Sequence, residues 1–305
     1  MVTDYLRVRR SLGYKLIETE YILVRFVAYL DEHDADVITV EHALGFATAP
    51  AGASRRWQAL RLSAVRCFAR WAHCLDPTVE VPPARLLPAR PTRVAPYIYT
   101  AKQVSALLEA AGQLPHPLRA ATFCTLFGLM AATGIRTGEA VGLDVASLDA
   151  QAGTLTVRGK YDKTRMLPLH PTVLEALTDY LAQRDRLLPV AASAALFVST
   201  RGTRLRPTSV QETFRGLTHL VGLRAVSSSC RPRPHDLRHS FAVSTMLDAY
   251  RSGADPAAVL PVLSTWLGHV EPSDTYWYLT GTAELLAAAA QRLDTDGPRG
   301  EGGRP

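Results

Sequence analysis

Apolar positions recur at helical spacing through most of the chain. Near the N-terminus, Tyr21, Val24, Val27 and the Tyr29–Leu30 pair continue a stripe begun by Leu16–Ile17, with charges between them. This predicts a helix packed through that stripe. A second run, Trp57 to Trp71, sets Leu60, Ala64, Cys67 and Phe68 against Arg55, Arg56, Arg61, Arg66 and Arg70. Apolar and basic residues then fall on different faces, one to pack and one to meet phosphate or solvent. Between Pro82 and Pro96 come Pro83, Pro88 and Pro91, too many for a helix and stiff enough for a linker.

Beyond the linker, Thr100 reads as an N-cap ahead of Val104, Leu107 and Leu108, and a buried helix follows from about Leu118 to Ala132, ended by Thr133–Gly134. Alternation appears only in Thr154–Arg158 and Arg165–Leu169, which flank the turn Gly159–Lys163 as a hairpin. Helices resume at Thr172–Leu187, Ser209–Leu220 and Asp236–Tyr250, and another opens at Asp255–Pro256. The last runs from Ala283 to Leu293, before a polar tail expected to be disordered. The expected fold is mainly α with a small β-sheet. The expected division is a helical unit over residues 1–87, a proline-rich linker over 88–97, a mixed α/β unit over 98–293 and the tail over 294–305.

Composition narrows the class. At 47% apolar and 20% charged over 305 residues the chain is an ordinary globular sequence. The longest apolar stretch, Ala120 to Ala132, is interrupted by Thr122 and Thr125, too short and too polar to span a bilayer. The first residues lack an apolar core of the secretory kind, and Cys67, Cys74, Cys124 and Cys230 form no CxxC pair. The expectation is a cytoplasmic protein with no membrane partner. A net charge of +6 favours a polyanionic ligand. Only four of the 34 basic residues are lysines, so Lys160 and Lys163 in one turn stand out.

Candidate chemistry lies at the edges of elements. Arg136 follows the buried helix in ATGIRTGEA with Glu139 three residues on, and Lys160 sits in the turn of RGKYDKTRMLPL. His235 and Arg238 open a helix in PHDLRHSFA, His269 ends WLGH, and Tyr278 follows in EPSDTYWYL. Arginine forks bind phosphate oxygens bidentately and stay charged. A lysine and histidines can move protons, and a tyrosine hydroxyl can act as a covalent nucleophile. Such a set suits attack on a phosphodiester without a metal. Alternatives stay open at this point. Lys163 competes with Lys160, Tyr276 competes with Tyr278, and His235 with His239 and Cys230 has the spacing of a zinc site.

In order and spacing, ATGIRTGEAVGL, RGKYDKTRMLPL, PHDLRHSFA and WLGHVEPSDTYWYL resemble the tyrosine recombinase (phage integrase) family, over about Thr100 to Leu286. The resemblance implies that Tyr278 attacks the scissile phosphate to give a 3′-phosphotyrosyl enzyme. Arg136 and Arg238 would hold the nonbridging oxygens, Lys160 would protonate the leaving 5′-oxygen, His235 would assist as acid, base and ligand, and His269 would hydrogen-bond the phosphate. Glu139 would support the site from behind. It implies double-stranded DNA as partner, a homo-tetramer on two paired sites with a dimer per site, exchange through a Holliday junction, and no cofactor. Heteromeric assembly with other recombinases is an alternative, because some transposon-type members act in groups, and TYWYL resembles theirs. The Ala-rich segment Ala283 to Ala290 would dock into a neighbouring protomer. Arg55, Arg56, Arg61, Arg66, Arg70, Lys163 and Arg165 are the expected DNA contacts. A type IB topoisomerase-like enzyme and a catalytically silent DNA-binding relative are the rival readings.

Overall fold

The computed structural model describes residues 1–87, 95–159, 163–188, 193–227, 229–269 and 283–295. The chain divides into two compact units, Met1–Arg93 and Val94–Pro305. Among the described residues no helix is long and apolar enough to cross a membrane.

The first unit holds four helices, α1 (Val2–Ser11), α2 (Ile17–Glu32), α3 (Val40–Thr48) and α4 (Arg55–His73). Thr39 and Ser54 cap α3 and α4 by accepting from the backbone N–H groups of His42 and Trp57. The core gathers Tyr5, Leu6, Ile22, Leu23, Phe26, Phe46, Leu62, Val65 and Phe68. Two expected faces are corrected. On α2, Ile17, Tyr21 and Val24 are exposed while Ile22, Leu23 and Phe26 are buried. Both sets recur at helical spacing, and the three neighbouring helices claim the second. On α4, Leu60 and Cys67 are exposed, and Arg61 lies inside.

The second unit opens with α5 (Ala101–Gly112), whose N-terminus is closed by reciprocal bonds between Thr100 and Gln103. Helix α6 (Pro117–Thr133) is buried on nearly every side, consistent with its almost unbroken apolar run. It stops at Gly134, whose φ of 64° is the left-handed helix terminator. A side chain there would also meet Phe241 at 2.6 Å. The chain then makes α7 (Thr137–Gly142) and an antiparallel sheet in the order β1 (Leu148–Asp149), β2 (Thr154–Arg158), β3 (Thr164–Pro168). Leu155, Val157 and Leu167 turn one face of the sheet into the core. Strand β1 was not expected, since two residues carry no readable alternation.

Among the described residues four longer helices follow: α8 (Pro171–Leu187), α9 (Pro207–Leu220), α10 (Asp236–Arg251) and α11 (Pro256–Leu267). The last described helix is α12 (Ala283–Thr295). Leu285 of α12 is buried in a cluster with Val243, Met246, Leu260 and Leu263 of its own chain. Within the chain, α12 thus packs on α10 and α11 through Leu285. The fold is mainly helical with one small three-stranded sheet, as the sequence pattern predicts.

Candidate active site

Three chain reversals place the site. The first is Gly134, after which Ile135 is fully buried and Arg136 emerges at the N-cap of α7. Arg136 donates from its backbone N to Glu139 Oε2 at 2.9 Å and from Nη1 to Oε1 at 2.8 Å. The second is the start of α10, where His235 occupies the N-cap position and Arg238 lies in the first turn, 0% exposed. The third is Gly268, again left-handed at φ 68°, which ends α11 and delivers His269.

Arg238 joins the first reversal to the third. Its Nη1 donates to Gly134 O at 2.8 Å, and its Nη2 donates to Leu267 O at 2.7 Å and to His269 Nε2 at 2.8 Å. Because a guanidinium only donates, His269 Nε2 is an acceptor and the ring proton lies on Nδ1. Both helix ends that flank the site thus rest on one buried cation.

His235 keeps an exposed edge, but the protein around it and the charges of Arg238, Arg233 and Arg136 lower its pKa to about 4, with Glu139 opposing. Arg136, Arg238 and Glu139 all act on His235, which puts the four groups near one another. Behind His235 the buried His239 is lowered to about 3 by burial first and then by His235, Arg233, Arg238 and His269. The two rings meet edge to face at 5.1 Å. Among the described residues no group of three His, Cys, Asp or Glu side chains is arranged to hold a metal.

A supporting layer escaped the sequence reading. Asp236 is wholly buried and receives Arg233 Nε at 3.0 Å and Nη2 at 2.7 Å. Ser240 Oγ donates to Asp236 O, and Tyr99 N donates to Ser240 Oγ at 2.8 Å, which ties the segment ahead of α5 to the first turn of α10. Trp266 Nε1 donates to Thr133 O at 2.8 Å and binds α11 to the end of α6. An Asp following the histidine of PHDLRHSFA was the available signal.

Two expected DNA contacts are corrected. Arg61 is 7% exposed, donates from Nη2 to Phe46 O at 2.6 Å and lies 3.8 Å over the Phe46 ring, so it packs inside the first unit. Arg165 spends its donors on Glu139 and on Trp266 O. Arg55, Arg56, Arg70 and Lys163 are exposed, and Arg66 is half-buried beside Ser63. Lys160, Tyr276 and Tyr278 lie outside the described residues.

The locality is cationic and bears histidines at helix termini, a composition that suits an anionic ligand. The comparisons then supply the family. Residues 98–284 match the profile described as "Phage integrase family". The chain is 43% identical to the putative integrase/recombinase y4rB of Sinorhizobium fredii (strain NBRC 101917 / NGR234), across 96% of both proteins. It is 34% identical to the tyrosine recombinase XerC of Rhodospirillum centenum (strain ATCC 51521 / SW), over 77% of this chain and 69% of that one. The fold is similar to that of the Tn1549 transposon integrase in complex with transposon right end DNA, at a TM-score of 0.65 and 16% identity, covering 96% and 97% of the two chains. The chain belongs to the phage integrase family, a family of tyrosine recombinase enzymes.

Proposed function

We propose that the chain is a site-specific DNA recombinase that cleaves and rejoins double-stranded DNA through Tyr278. The phenolic oxygen gives up its proton to water and attacks the scissile phosphorus as the bond to the 5′-oxygen breaks, and Lys160 supplies the proton that the 5′-oxygen takes. The product is a 3′-phosphotyrosyl bond that conserves the energy for rejoining. Arg136 and Arg238 stabilise the charge on the nonbridging oxygens, with His235 and His269 as hydrogen-bonding partners. No metal or other cofactor enters this scheme. The observation that carries the reading is the gathering of Arg136, of His235 with Arg238, and of His269 from three separated stretches, with Arg238 bonded to His269.

In this reading the first unit grips DNA through the exposed side of α4, and the second unit performs the chemistry. Assembly as a homo-tetramer on two paired sites and exchange through a Holliday junction are carried over from the family, as is the service of a mobile element. The likeness to the putative integrase/recombinase y4rB and to the fold of the Tn1549 transposon integrase supports that last role.

The test uses the purified chain and the duplex it selects from a random pool, rebuilt with a nick beside the scissile phosphate so that the cleaved strand cannot religate. Wild type accumulates a covalent adduct, Tyr278→Phe forms none, and Tyr276→Phe keeps it. An adduct that survives Tyr278→Phe overturns the assignment of the nucleophile. Tight binding by wild type with no adduct favours the silent DNA-binding relative, and relaxation of supercoils by a monomer favours the topoisomerase.

A further inference from the structure

Glu139 stands between two guanidinium groups. Arg136 reaches it from its own helix turn, and Arg165 forks onto it from β3, with Nη1 at 3.2 Å from Oε1 and Nη2 at 2.8 Å from Oε2. The third donor of Arg165, Nε, goes to Trp266 O at 2.8 Å. Gly268 closes over this guanidinium so tightly that a Cβ there would lie 3.0 Å from Nη1. A Cβ on Gly159, at the base of the hairpin turn, would lie 3.8 Å from Glu139 Oε1. One side chain therefore fastens β3, α7 and the end of α11 together, next to Gly159.

The charges decide what this does. Arg136, Glu139 and Arg165 sum to one net positive charge. Glu139 and Arg165 are only 7% and 14% exposed, while Arg136 is 35% exposed and holds the open surface. Burial alone would raise the Glu139 pKa, but the bonds from Arg165 and Arg136 reverse this and hold it at about 2, so the carboxylate is ionised throughout the working range.

We propose that Arg165 is a positioning residue for strand cleavage: it neutralises and clamps Glu139, leaving the charge of Arg136 uncompensated for the scissile phosphate. The proposal rests on the recombinase reading of Arg136. Without Arg165, Arg136 and Glu139 become a neutral pair, and the buried carboxylate draws the remaining guanidinium to itself. Lysine restores the charge as a single point but provides neither the fork nor the bond to Trp266 O.

The experiment measures adduct formation on the nicked duplex at saturating DNA, together with DNA affinity and thermal midpoint. Arg165→Met slows cleavage about 100-fold, the scale of losing one preorganised charge contact, while affinity stays within about threefold. Adding Glu139→Gln to Arg165→Met recovers about tenfold or more, because no anion remains to cancel Arg136. A merely structural role makes the double variant no faster than the single one, since further bonds are lost. Arg165→Lys falls between Arg165→Met and wild type, and Arg165→Gln replaces Arg165→Met if the latter does not fold.

An Arg165→Met rate within about threefold of wild type overturns the proposal. So does a double variant without recovery, or a loss that appears in affinity with a salt dependence shallower by about one unit, the mark of a direct phosphate contact. If wild type itself forms no adduct, the functional reading falls and this proposal with it. Cleavage by wild type confines any failure to Arg165.

Discussion

Both units bury arginine in long helices, Arg61 on α4 in the first and Arg184 on α8 and Arg238 on α10 in the second, and Arg61 and Arg238 behave differently. Arg61 on α4 makes one hydrogen bond, to Phe46 O, lies on the Phe46 ring, and leaves its Nε without a partner among the described residues. Arg238 on α10 supplies two carbonyls that end helices and the ring of His269. Burial, and after it the charge of Arg25, lowers the pKa of Arg61, a cost that packing must offset. Around Arg238 stand Arg136, Arg233, His235 and His239, a concentration of like-charged and titratable groups that folding alone does not favour. A buried cation is thus weak evidence of a site by itself. The convergence of other polar groups on it from separate chain segments is strong evidence.

The hardest blow to this contrast is the same substitution made in both helices. Arg238→Lys keeps a charge but loses the fork that joins Gly134, Leu267 and His269. Cleavage of the nicked duplex should fall about 10³-fold, at the upper end for one lost charge-stabilising group. Arg61→Lys should cleave within about threefold of wild type. Equal losses at the two positions would dissolve the distinction. Stability ranks next. Arg61→Ala strands Phe46 O and uncovers the ring, which should cost about 1–3 kcal/mol in urea denaturation, with the salt dependence of DNA binding unchanged. An Arg61→Ala protein as stable as wild type but with a shallower salt slope would return Arg61 to the DNA contacts.

How much of this was legible in the sequence differs by region. In the second unit, Gly134, Thr100 and Asp255 announced helix ends through their own chemistry, and the structure uses all three. The polar motifs there fixed which residues to watch. In the first unit, periodicity gave α2 and α4 but not α1 or α3, chose the wrong face of α2 and misplaced Leu60, Cys67 and Arg61 on α4. Helix α2 has two apolar faces, Ile17–Tyr21–Val24 and Ile22–Leu23–Phe26, and spacing alone cannot say which one neighbours will cover. Helix α4 carries so many arginines that one turned inward looks like the rest. The Glu139–Arg165 bond was illegible for another reason. It spans 26 residues between a helix and a strand, and an arginine on a strand reads as solvated.

The exposed side of α4 offers a smaller effect. Among the described residues the side chains of Arg55 and Arg56 make no hydrogen bond, so replacing both with alanine should leave stability within about 0.5 kcal/mol. If they meet DNA phosphates, the logarithmic salt dependence of binding should become shallower by about 1–2 units. Unchanged salt dependence would show this side of α4 to be solvated and would narrow DNA contact to other parts of the chain.

The finest distinction is titration. The ordinary histidine pKa is about 6.5, and in the folded chain His235 stands at about 4. Between those values the unfolded chain binds a proton that the folded chain refuses, so the unfolded state gains as pH falls. The stability tied to neutral His235 is complete above about 6.5 and is lost progressively on the way down through 4. His239, at about 3, pulls in the same direction. Arg61 stays charged over this whole range and contributes no such slope. The urea midpoint should therefore drop between pH 7 and pH 5, and His235→Asn should lessen the drop. DNA reverses the sign at His235, because a phosphate placed among Arg136, Arg238 and His235 favours the imidazolium. Binding should then take up protons, and affinity for the selected duplex should rise as pH falls from 7 toward 5.5, less so in His235→Asn. Calorimetry in two buffers of different ionisation enthalpy reads that uptake directly. Equal heats in both buffers would mean that no phosphate comes near His235, and the site at the start of α10 would lose the feature that separates it from the buried arginine of α4.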